Sequence, residues 1–310
     1  DPKKIFNLIL MSLLIVGTVA FDGIETPFGK VEKILGGSAT YIGISASYFT
    51  KNSNLISVVG GDFPKNKIDL LKEHRIDCEG LELIPNEKTF FWSGKYHDNM
   101  NSRDTIATHL NVLEKFNPKI PKKYQNCKYL MLANLMPSIQ LSAIEKLNNQ
   151  PKIIVTDTMN YWLDNCWDDL CKVIAQTDVL IINDEEALQL SNKNNLIDAA
   201  KKIQSMGPSS LIIKRGTEGA VLFSGKSMFP CTAFPVQTCV DPTGAGDTFA
   251  GAFIAHLNNS DDISFESMKT GIIKACAMAS FCVEDFGVNN IIHKQFAEIK
   301  ARIDVLKSIS

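Results

Sequence analysis

Residues 241–253, DPTGAGDTFAGAF, place a carboxylate directly after a glycine-rich turn and just before an apolar run. Phe249 and Phe253 recur at helical spacing, so a helix is predicted to begin near Gly246 or Asp247. The first amides of a helix have no intrahelical partner and lie at the positive end of the helix dipole. The segment therefore predicts a binding site for an anion, such as a phosphoryl group, where this helix begins.

The glycine turn and the aspartate can serve one reaction together. Glycines let backbone amides approach a ligand closely, so the amides of Gly244, Ala245 and Gly246 are predicted to form an anion hole. Asp247 considered alone could be an ordinary first-turn aspartate that favours the helix dipole. Phosphoryl transfer, however, needs a base beside the phosphoryl group to accept the proton of an attacking hydroxyl. The segment thus predicts phosphoryl transfer, with Asp247 as the general base.

The rest of the chain has the pattern of a regular framework that could position these residues. Short apolar runs alternate with amphipathic stretches, which predicts one α/β domain with a parallel sheet covered by helices on both faces. The predicted strands are residues 13–19, 54–60, 128–135, 152–158, 178–186 and 210–216. Residues 22–35 and 88–109 alternate polar and apolar residues around turns, and they are predicted to form a small β lid beside the active edge of the sheet.

The composition is that of an ordinary globular protein. The 310 residues are 45% hydrophobic and carry a formal net charge of −2. The lysines and arginines are spread along the chain, which argues against a nucleic-acid partner. The eight cysteines form no C-x-x-C and the five histidines no H-E-x-x-H, so neither a zinc site nor a disulfide framework is expected. Free thiols favour a reducing, cytoplasmic location.

The beginning of the chain allows two interpretations. Residues 3–22 contain two lysines, an apolar run and a small residue at Ala20, which is the outline of a secretory signal. The run is nevertheless interrupted by polar residues and is short for a membrane span. We favour a buried first strand, because Asp22 is needed at its end. Residues 1–10 are then a tag or an upstream extension, and no membrane association is expected.

A second glycine-containing motif points to a different chemistry. Residues 220–227, AVLFSGKS, match a variant of the phosphate-loop pattern that ends in Lys226 and Ser227. That loop must lead into a helix, whereas here a strand-like VLF and a turn are followed by Pro230. We predict a β-hairpin, with Lys226 away from phosphate. No G-x-G-x-x-G follows the first strand, so a dinucleotide-binding fold is not expected.

Asp241 to Asp247 match the signature D-T/P-x-G-A-G-D, and on this signature the chain resembles the ribokinase-like carbohydrate kinases of the PfkB family over almost its whole length. The resemblance implies a three-layer α/β sandwich with a mainly parallel sheet and a small β lid. It also implies an ATP-dependent kinase that uses Mg²⁺, with Asp247 as the catalytic base beside the anion hole.

The resemblance extends to the nucleotide side of the site. Asn183 and Glu186 match the ends of an N-x-x-E motif and would organise magnesium through water; a helix N-cap with acidic first-turn residues explains the same spacing. Gly216 and Gly219 would admit the ribose and phosphates, and Lys214 would face the phosphates, although a simple strand turn explains this lysine equally well.

A monovalent cation is a further implication of the resemblance. Asp241 and Thr243 would flank a potassium ion beside the anion hole, with the loop of residues 282–287 opposite.

On the acceptor side, Asp22 matches the family aspartate that binds substrate hydroxyls, and Gly36 and Gly37 match its di-glycine before a helix. Asn134 aligns with a polar substrate contact. The family has an asparagine where this chain has Tyr41, and a tyrosine offers one hydrogen bond and a flat apolar face. This departure puts the identity of the acceptor in question and leaves phosphotransfer intact.

The main hypothesis is an ATP-dependent kinase acting on a hydroxymethyl group of a sugar or sugar-like alcohol. The lid aromatics can form a small β core or stack on a nucleobase, so a nucleoside kinase is the alternative; these residues are Phe90, Phe91, Trp92 and Tyr96. A non-catalytic sugar-binding module would have no use for a base beside an anion hole. Unpaired lid strands invite a partner, so a homodimer through the lid is a further expectation.

Overall fold

The computed structural model describes residues 13–100 and 102–310, and the predicted tag or extension at residues 1–10 lies outside them. The strands of the described chain are β1 (Leu13–Val16), β2 (Ala20–Thr26), β3 (Gly29–Gly36), β4 (Ser53–Gly60), β5 (Ile76–Ile84), β6 (Phe91–Tyr96), β7 (Arg103–His109), β8 (Tyr129–Leu132), β9 (Ile153–Asp157), β10 (Val179–Asn183), β11 (Ser210–Lys214), β12 (Ala220–Ser224) and β13 (Ser227–Cys231). Its α-helices are α1 (Ser38–Ala46), α2 (Lys65–Glu73), α3 (Pro137–Glu145), α4 (Asn160–Asn165), α5 (Trp167–Ala175), α6 (Asp184–Ser191), α7 (Leu196–Gln204), α8 (Ala245–Ser260), α9 (Phe265–Cys282) and α10 (Phe296–Ile309).

The larger sheet has the strand order β13-β12-β11-β10-β9-β8-β1-β4-β5. Each neighbouring pair from β11 through β10, β9, β8, β1 and β4 to β5 is parallel, which confirms the predicted mainly parallel sheet. Strands β12 and β13 add antiparallel at one edge, and they are joined by a two-residue turn at Gly225. The phosphate-loop look-alike is therefore the hairpin that the sequence predicted.

Helices cover both faces of this sheet. Alternate residues of β1 enter different cores: Leu13 and Ile15 pack with α1, α8 and α9, whereas Leu14 and Val16 pack with α3. This alternation follows from the two-residue period of a strand, and it explains why β1 is apolar at every position. The result is the predicted three-layer sandwich. No helix in the described ranges is both long and apolar enough to cross a membrane.

A second, four-stranded sheet has the order β3-β2-β6-β7 and confirms the predicted small β element. Its central pair, β2 and β6, is parallel, and both outer strands pair antiparallel. The strands run over residues 20–36 and 91–109, close to the predicted ranges of 22–35 and 88–109.

Two predicted boundaries need correction. The first strand ends at Val16 rather than Val19, because the chain turns at residue 17 toward the second sheet; Asp22 therefore lies within β2 instead of directly after the first strand. Strand β5 had no counterpart among the predicted strands. Its residues are mostly half-buried, since β5 is the edge of the sheet and lacks the continuous apolar run of a central strand.

Candidate active site

The predicted helix after the glycine turn is α8, which begins at Ala245 with Gly244 as its N-cap. Gly244 has a φ of +76°, and a Cβ atom there would lie 2.3 Å from the ring of Tyr41. Only glycine combines this left-handed backbone with so close an approach. The turn is thus fixed by its packing against Tyr41 of α1.

The backbone amides at this helix start are not equivalent. Ala245 N–H donates to the carbonyl of Pro242 at 3.2 Å, and Thr248 N–H donates to the carbonyl of Gly244 at 2.8 Å. The amides of Gly244, Gly246 and Asp247 donate to no oxygen of residues 13–100 and 102–310. The Ala245 amide thus has a protein partner while the amides of Gly244, Gly246 and Asp247 have none among the described residues, and the anion hole of Gly244, Ala245 and Gly246 stays a prediction.

A half-buried lysine of β11 reaches this helix start. A Cβ atom on Gly246 would lie 2.9 Å from Nζ of Lys214, so the missing side chain makes room for the ammonium. Lys214 Nζ also lies 3.4 Å from both carboxylate oxygens of Asp157 at the end of β9. A cation at the positive end of a helix dipole is unfavourable on its own. Lys214 and α8 together are complementary to an anion.

Asp247 lies in the electrostatic field of this pair. Burial, followed by the charge of Asp157, raises the pKa of Asp247 to about 7, against the opposing charge of Lys214. Burial likewise raises the pKa of Asp157, which Lys214 counteracts. Burial alone would lower the pKa of Lys214, but Asp157, Glu186 and Asp247 together raise it. Asp247 can therefore change protonation state near neutral pH, as a general base must.

Asn183 and Glu186 form a capping box at the start of α6, so the structural interpretation of this motif holds. Asn183 Oδ1 accepts from the Glu186 amide at 2.7 Å, and Glu186 Oε2 accepts from the Asn183 amide at 2.8 Å. The second carboxylate oxygen of Glu186 has no hydrogen-bond partner in the described chain. Burial, partly offset by the charge of Lys214, raises the pKa of this 6% exposed carboxyl to about 7. One oxygen of this largely buried carboxyl is thus left for a ligand.

Asp22 occupies space that the di-glycine leaves open. A Cβ atom on Gly36 would lie 1.9 Å from a carboxylate oxygen of Asp22, and one on Gly37 would lie 2.5 Å from the carbonyl oxygen of Thr18. Gly37 also has a φ of +91°. Burial, followed by the charge of Asp241, raises the pKa of Asp22 to about 7, whereas the Gly37 amide lowers it. Asp22 and the di-glycine, each predicted to lie on the acceptor side, are thus in contact with each other.

The expected aromatic face at Tyr41 is not open to a ligand. The ring is 1% exposed and lies against Gly244. Its hydroxyl, in contrast, is buried without a hydrogen-bond partner in the described chain. Burial, followed by the charge of Asp22, holds the pKa of Tyr41 well above its usual range. Any contact of Tyr41 with a substrate must therefore be made through the hydroxyl.

Asp241 joins the glycine turn to the loop of residues 282–287. Its two carboxylate oxygens accept the amides of Thr243 at 2.8 Å and Gly287 at 2.9 Å. Burial raises the pKa of this carboxyl, while these amides lower it. The structure thus brings together the groups predicted to surround potassium, but both oxygens of Asp241 already bind backbone amides.

Three further predicted residues have clear structural roles. Gly219 has a φ of +94°, and a Cβ atom there would lie 2.0 Å from the carbonyl oxygen of Cys231. Gly216 begins a short 3₁₀ turn after β11 with a φ of +51°. The side-chain oxygen of Asn134 accepts from the indole of Trp162 at 2.8 Å.

Two residues of the site were not identified from the sequence. Asp157 holds Lys214, and a carboxylate directly after the apolar run IIVT was the signal that could have revealed it. Arg103 lies on β7, and its charge lowers the pKa values of Asp247 and Glu186, although burial raises both overall. No local pattern distinguishes this arginine from other polar residues of the lid.

An anion site at a helix start, a lysine beside it and a carboxyl with a pKa near 7 are the parts of a small-molecule kinase site. Residues 12–295 match the pfkB family carbohydrate kinase model, and the chain belongs to this family of kinases.

Relatives and solved structures agree with this family. The chain is 26% identical to a cytidine kinase of Thermococcus kodakarensis, over 86% of this chain and 95% of the relative. A protein described as a ribokinase II of E. coli, in complex with ATP and Mg²⁺, superposes with a TM-score of 0.78 and 22% identity, over 95% of this chain and 99% of that one. A Burkholderia thailandensis nucleoside kinase in complex with inosine has a TM-score of 0.75 and 18% identity, over 96% of this chain and 99% of that one. These two structures show the likeness of the fold.

Proposed function

We propose that the protein transfers the γ-phosphoryl group of ATP to a hydroxymethyl group of a sugar or sugar-like alcohol. The observation that carries this proposal is the arrangement of Asp247, Gly246 and Lys214: unpaired amides and a half-buried ammonium lie beside a carboxyl whose pKa is about 7. Charge stabilisation and a base are what phosphoryl transfer requires from a protein.

In the proposed reaction, the acceptor hydroxyl oxygen forms a bond to the γ-phosphorus, and the bond from that phosphorus to the β,γ-bridging oxygen breaks. The hydroxyl proton passes to the Asp247 carboxylate, and ADP is the leaving group. The free amides at the start of α8 and the Lys214 ammonium stabilise the negative charge on the transferred group. Asp22 accepts hydrogen bonds from other hydroxyls of the acceptor and so orients it.

When bound with ATP, magnesium would supply positive charge that offsets the charge of the phosphates. The free oxygen of Glu186, held in place by the Asn183 capping box, is suited to hold a magnesium-bound water. The potassium site stays a prediction: each oxygen of Asp241 accepts one backbone amide, from Thr243 or Gly287, and a carboxylate oxygen can accept more than one contact.

A nucleoside is the second candidate acceptor, and Trp92 is the observation that favours it. Trp92 is paired with Asp22 in the small sheet. Its half-buried ring lies over Gly94, and a Cβ atom on Gly94 would lie 2.4 Å from a carbon of that ring. Paired residues of neighbouring strands share a face of the sheet. A flat ring beside the aspartate that binds sugar hydroxyls could contact a base attached to that sugar.

A phosphorylation screen tests the proposal. The purified protein, with ATP and Mg²⁺, is incubated with separate sets of free sugars and nucleosides, and ADP formation and product mass are measured. Acceptor-dependent ADP formation with sugars supports the first candidate, and formation with nucleosides alone supports the second. A protein that binds ATP but phosphorylates neither set would be the non-catalytic module.

A further inference from the structure

Gln140 is a fully buried glutamine of α3 that joins two neighbouring strand ends of the larger sheet. Its side-chain Nε2 donates to the carbonyl of Ala133 at 2.9 Å and to that of Asp157 at 3.2 Å. Its side-chain oxygen has no hydrogen-bond partner in the described chain. A carbonyl oxygen only accepts hydrogen bonds, so the NH₂ side of the amide must face both carbonyls. The amide is therefore oriented by the two strand ends alone.

These hydrogen bonds lie where the pairing of β8 with β9 stops. The last paired residues of the two strands are Leu132 and Thr156, and Ala133 and Asp157 come directly after them. Parallel strands are held side by side by the regular hydrogen bonds between their backbones. Beyond the last pair, the two bonds from Gln140 replace those backbone bonds. Gln140 thus keeps β8 and β9 together for one more residue at the carboxyl edge of the sheet.

The position of this strand end matters because Asp157 holds Lys214. The Asp157 carboxylate is buried, and both of its oxygens lie 3.4 Å from Nζ of Lys214. One of these oxygens also accepts the Thr158 amide at 2.9 Å, which ties the carboxylate to the backbone. Lys214 Nζ in turn lies against Gly246 at the start of α8. A shift of the Asp157 backbone would therefore move the carboxylate and the ammonium that it holds.

We propose that Gln140 is a positioning residue that fixes the Asp157 backbone and thereby sets the place of the Lys214 ammonium at the start of α8. This inference rests on the proposed function, in which Lys214 stabilises the transferred phosphoryl group of ATP. Gln140 is fully buried, so it acts only through these two residues. Electrostatic stabilisation requires charges that are held in place in advance. Loss of the two hydrogen bonds should therefore weaken the interaction of Lys214 with ATP.

A double-mutant cycle between Gln140 and Lys214 tests this coupling. The affinity for ATP is measured by calorimetry, with Mg²⁺ and without an acceptor, for the wild type, Gln140→Met, Lys214→Gln and the double variant. Methionine is an unbranched, flexible side chain that fills the buried space and removes both donors. Gln125→Met is the matched control, because Gln125 also donates to a carbonyl, that of Ile120 at 3.1 Å, and precedes β8 at the opposite end of the strand.

Gln140→Met should weaken the binding of ATP by about three- to tenfold, the usual effect of losing neutral hydrogen bonds. Gln125→Met should leave the affinity unchanged, although the Tm of both variants should fall because carbonyl groups lose their donors. When Lys214→Gln is already present, Gln140→Met should cause little further loss, since no ammonium remains to be positioned. Gln140→Asn keeps both donors on a shorter side chain and should lose less affinity; it enters the cycle if Gln140→Met does not fold.

Two results would overturn the inference. One is wild-type affinity for ATP in folded Gln140→Met. The other is a loss of affinity that is as large with Lys214→Gln as without it, because Gln140 would then act independently of Lys214. A wild-type protein that binds no ATP would overturn the proposed function and this inference together. Coupling in the cycle, with no acceptor phosphorylated in the screen, would overturn the proposed function and support the positioning role of Gln140 in ATP binding.

Discussion

The hydroxyl of Thr243 donates to the hydroxyl of Tyr96 at 3.0 Å, and this contact joins the small sheet to the turn that precedes α8. Tyr96 is buried, so the contact is shielded from water. The small sheet and the glycine turn are thus linked directly beside Asp247.

Tyr96→Phe should lower kcat/KM for ATP and for the acceptor together by about tenfold, because a neutral hydrogen bond of about 1 kcal/mol would no longer hold the small sheet over the turn. Steady-state kinetics of Tyr96→Phe, Thr243→Val and the double variant would check this. The double variant should lose little more than either single one. Additive losses would mean that the two residues act separately.

The pH dependence of catalysis should follow Asp247. Burial raises its pKa to about 7, and a base must be ionised, so kcat/KM should fall as pH decreases below about 7 and level off above it. Asp247→Asn should still bind ATP but lose about 10²–10⁴-fold in kcat, the usual effect of a positioned base. An asparagine variant with near wild-type kcat would disprove the assignment.

Lys214 and Lys226 provide a matched pair of lysine variants. Lys214→Gln should lower kcat/KM for ATP by about 10²-fold, because its ammonium lies at the start of α8. It should also lower Tm, since Asp157 loses its buried partner. Lys226→Gln, in the exposed hairpin turn, should change neither quantity.

A double variant separates the two roles of Lys214. Adding Asp157→Asn to Lys214→Gln should restore Tm, because no unpaired buried charge remains, but it should leave activity low. Recovery of activity in the double variant would show that Lys214 serves only to neutralise Asp157.

Asp22→Asn should raise Tm at pH 8 and leave it unchanged near pH 3. The pKa of Asp22 is about 7 in the fold against an ordinary value of 3.8, so this carboxyl stabilises the fold while it is protonated and ceases to do so as pH rises from about 4 to 7. Thermal melting at both pH values tests the expectation, and KM for the acceptor should rise while KM for ATP does not. A lower Tm at pH 8 would contradict it.

Tyr41→Phe tests whether the Tyr41 hydroxyl contacts the acceptor. The hydroxyl is buried without a partner in the described chain, so its removal should leave Tm unchanged or higher. If the acceptor supplies the missing partner, KM for the acceptor should rise about tenfold, with no change in KM for ATP. An unchanged acceptor KM would assign Tyr41 to packing against Gly244 alone.

The sequence predicted the central strands and the helix start because their signals are local. A strand such as β10 is a continuous apolar run, and the turn before α8 needs glycines for its backbone. The edge strand β5 was missed because it is only half-buried. The sequence thus indicates a strand most clearly where the strand is buried on both faces, as the central strands are.

The candidate site was less predictable, because several of its contacts join distant parts of the chain. Asp157 and Lys214 are separated by 57 residues, and Arg103 reaches the site only through the register of the small sheet. The open face expected for Tyr41 was wrong, since the ring fills the space beside Gly244. Such relationships depend on packing and leave no local pattern.

Gly36 has a consequence for redesign of this protein. Its backbone lies at the end of a strand outside the left-handed region, so a search for stabilising substitutions would place alanine there to fill buried space and strengthen β3. The methyl group would take the position of the Asp22 carboxylate, 1.9 Å away. A sequence optimised for stability alone would thus discard the acceptor contact proposed for Asp22 while keeping the fold, and Gly36 and Asp22 must be held fixed together.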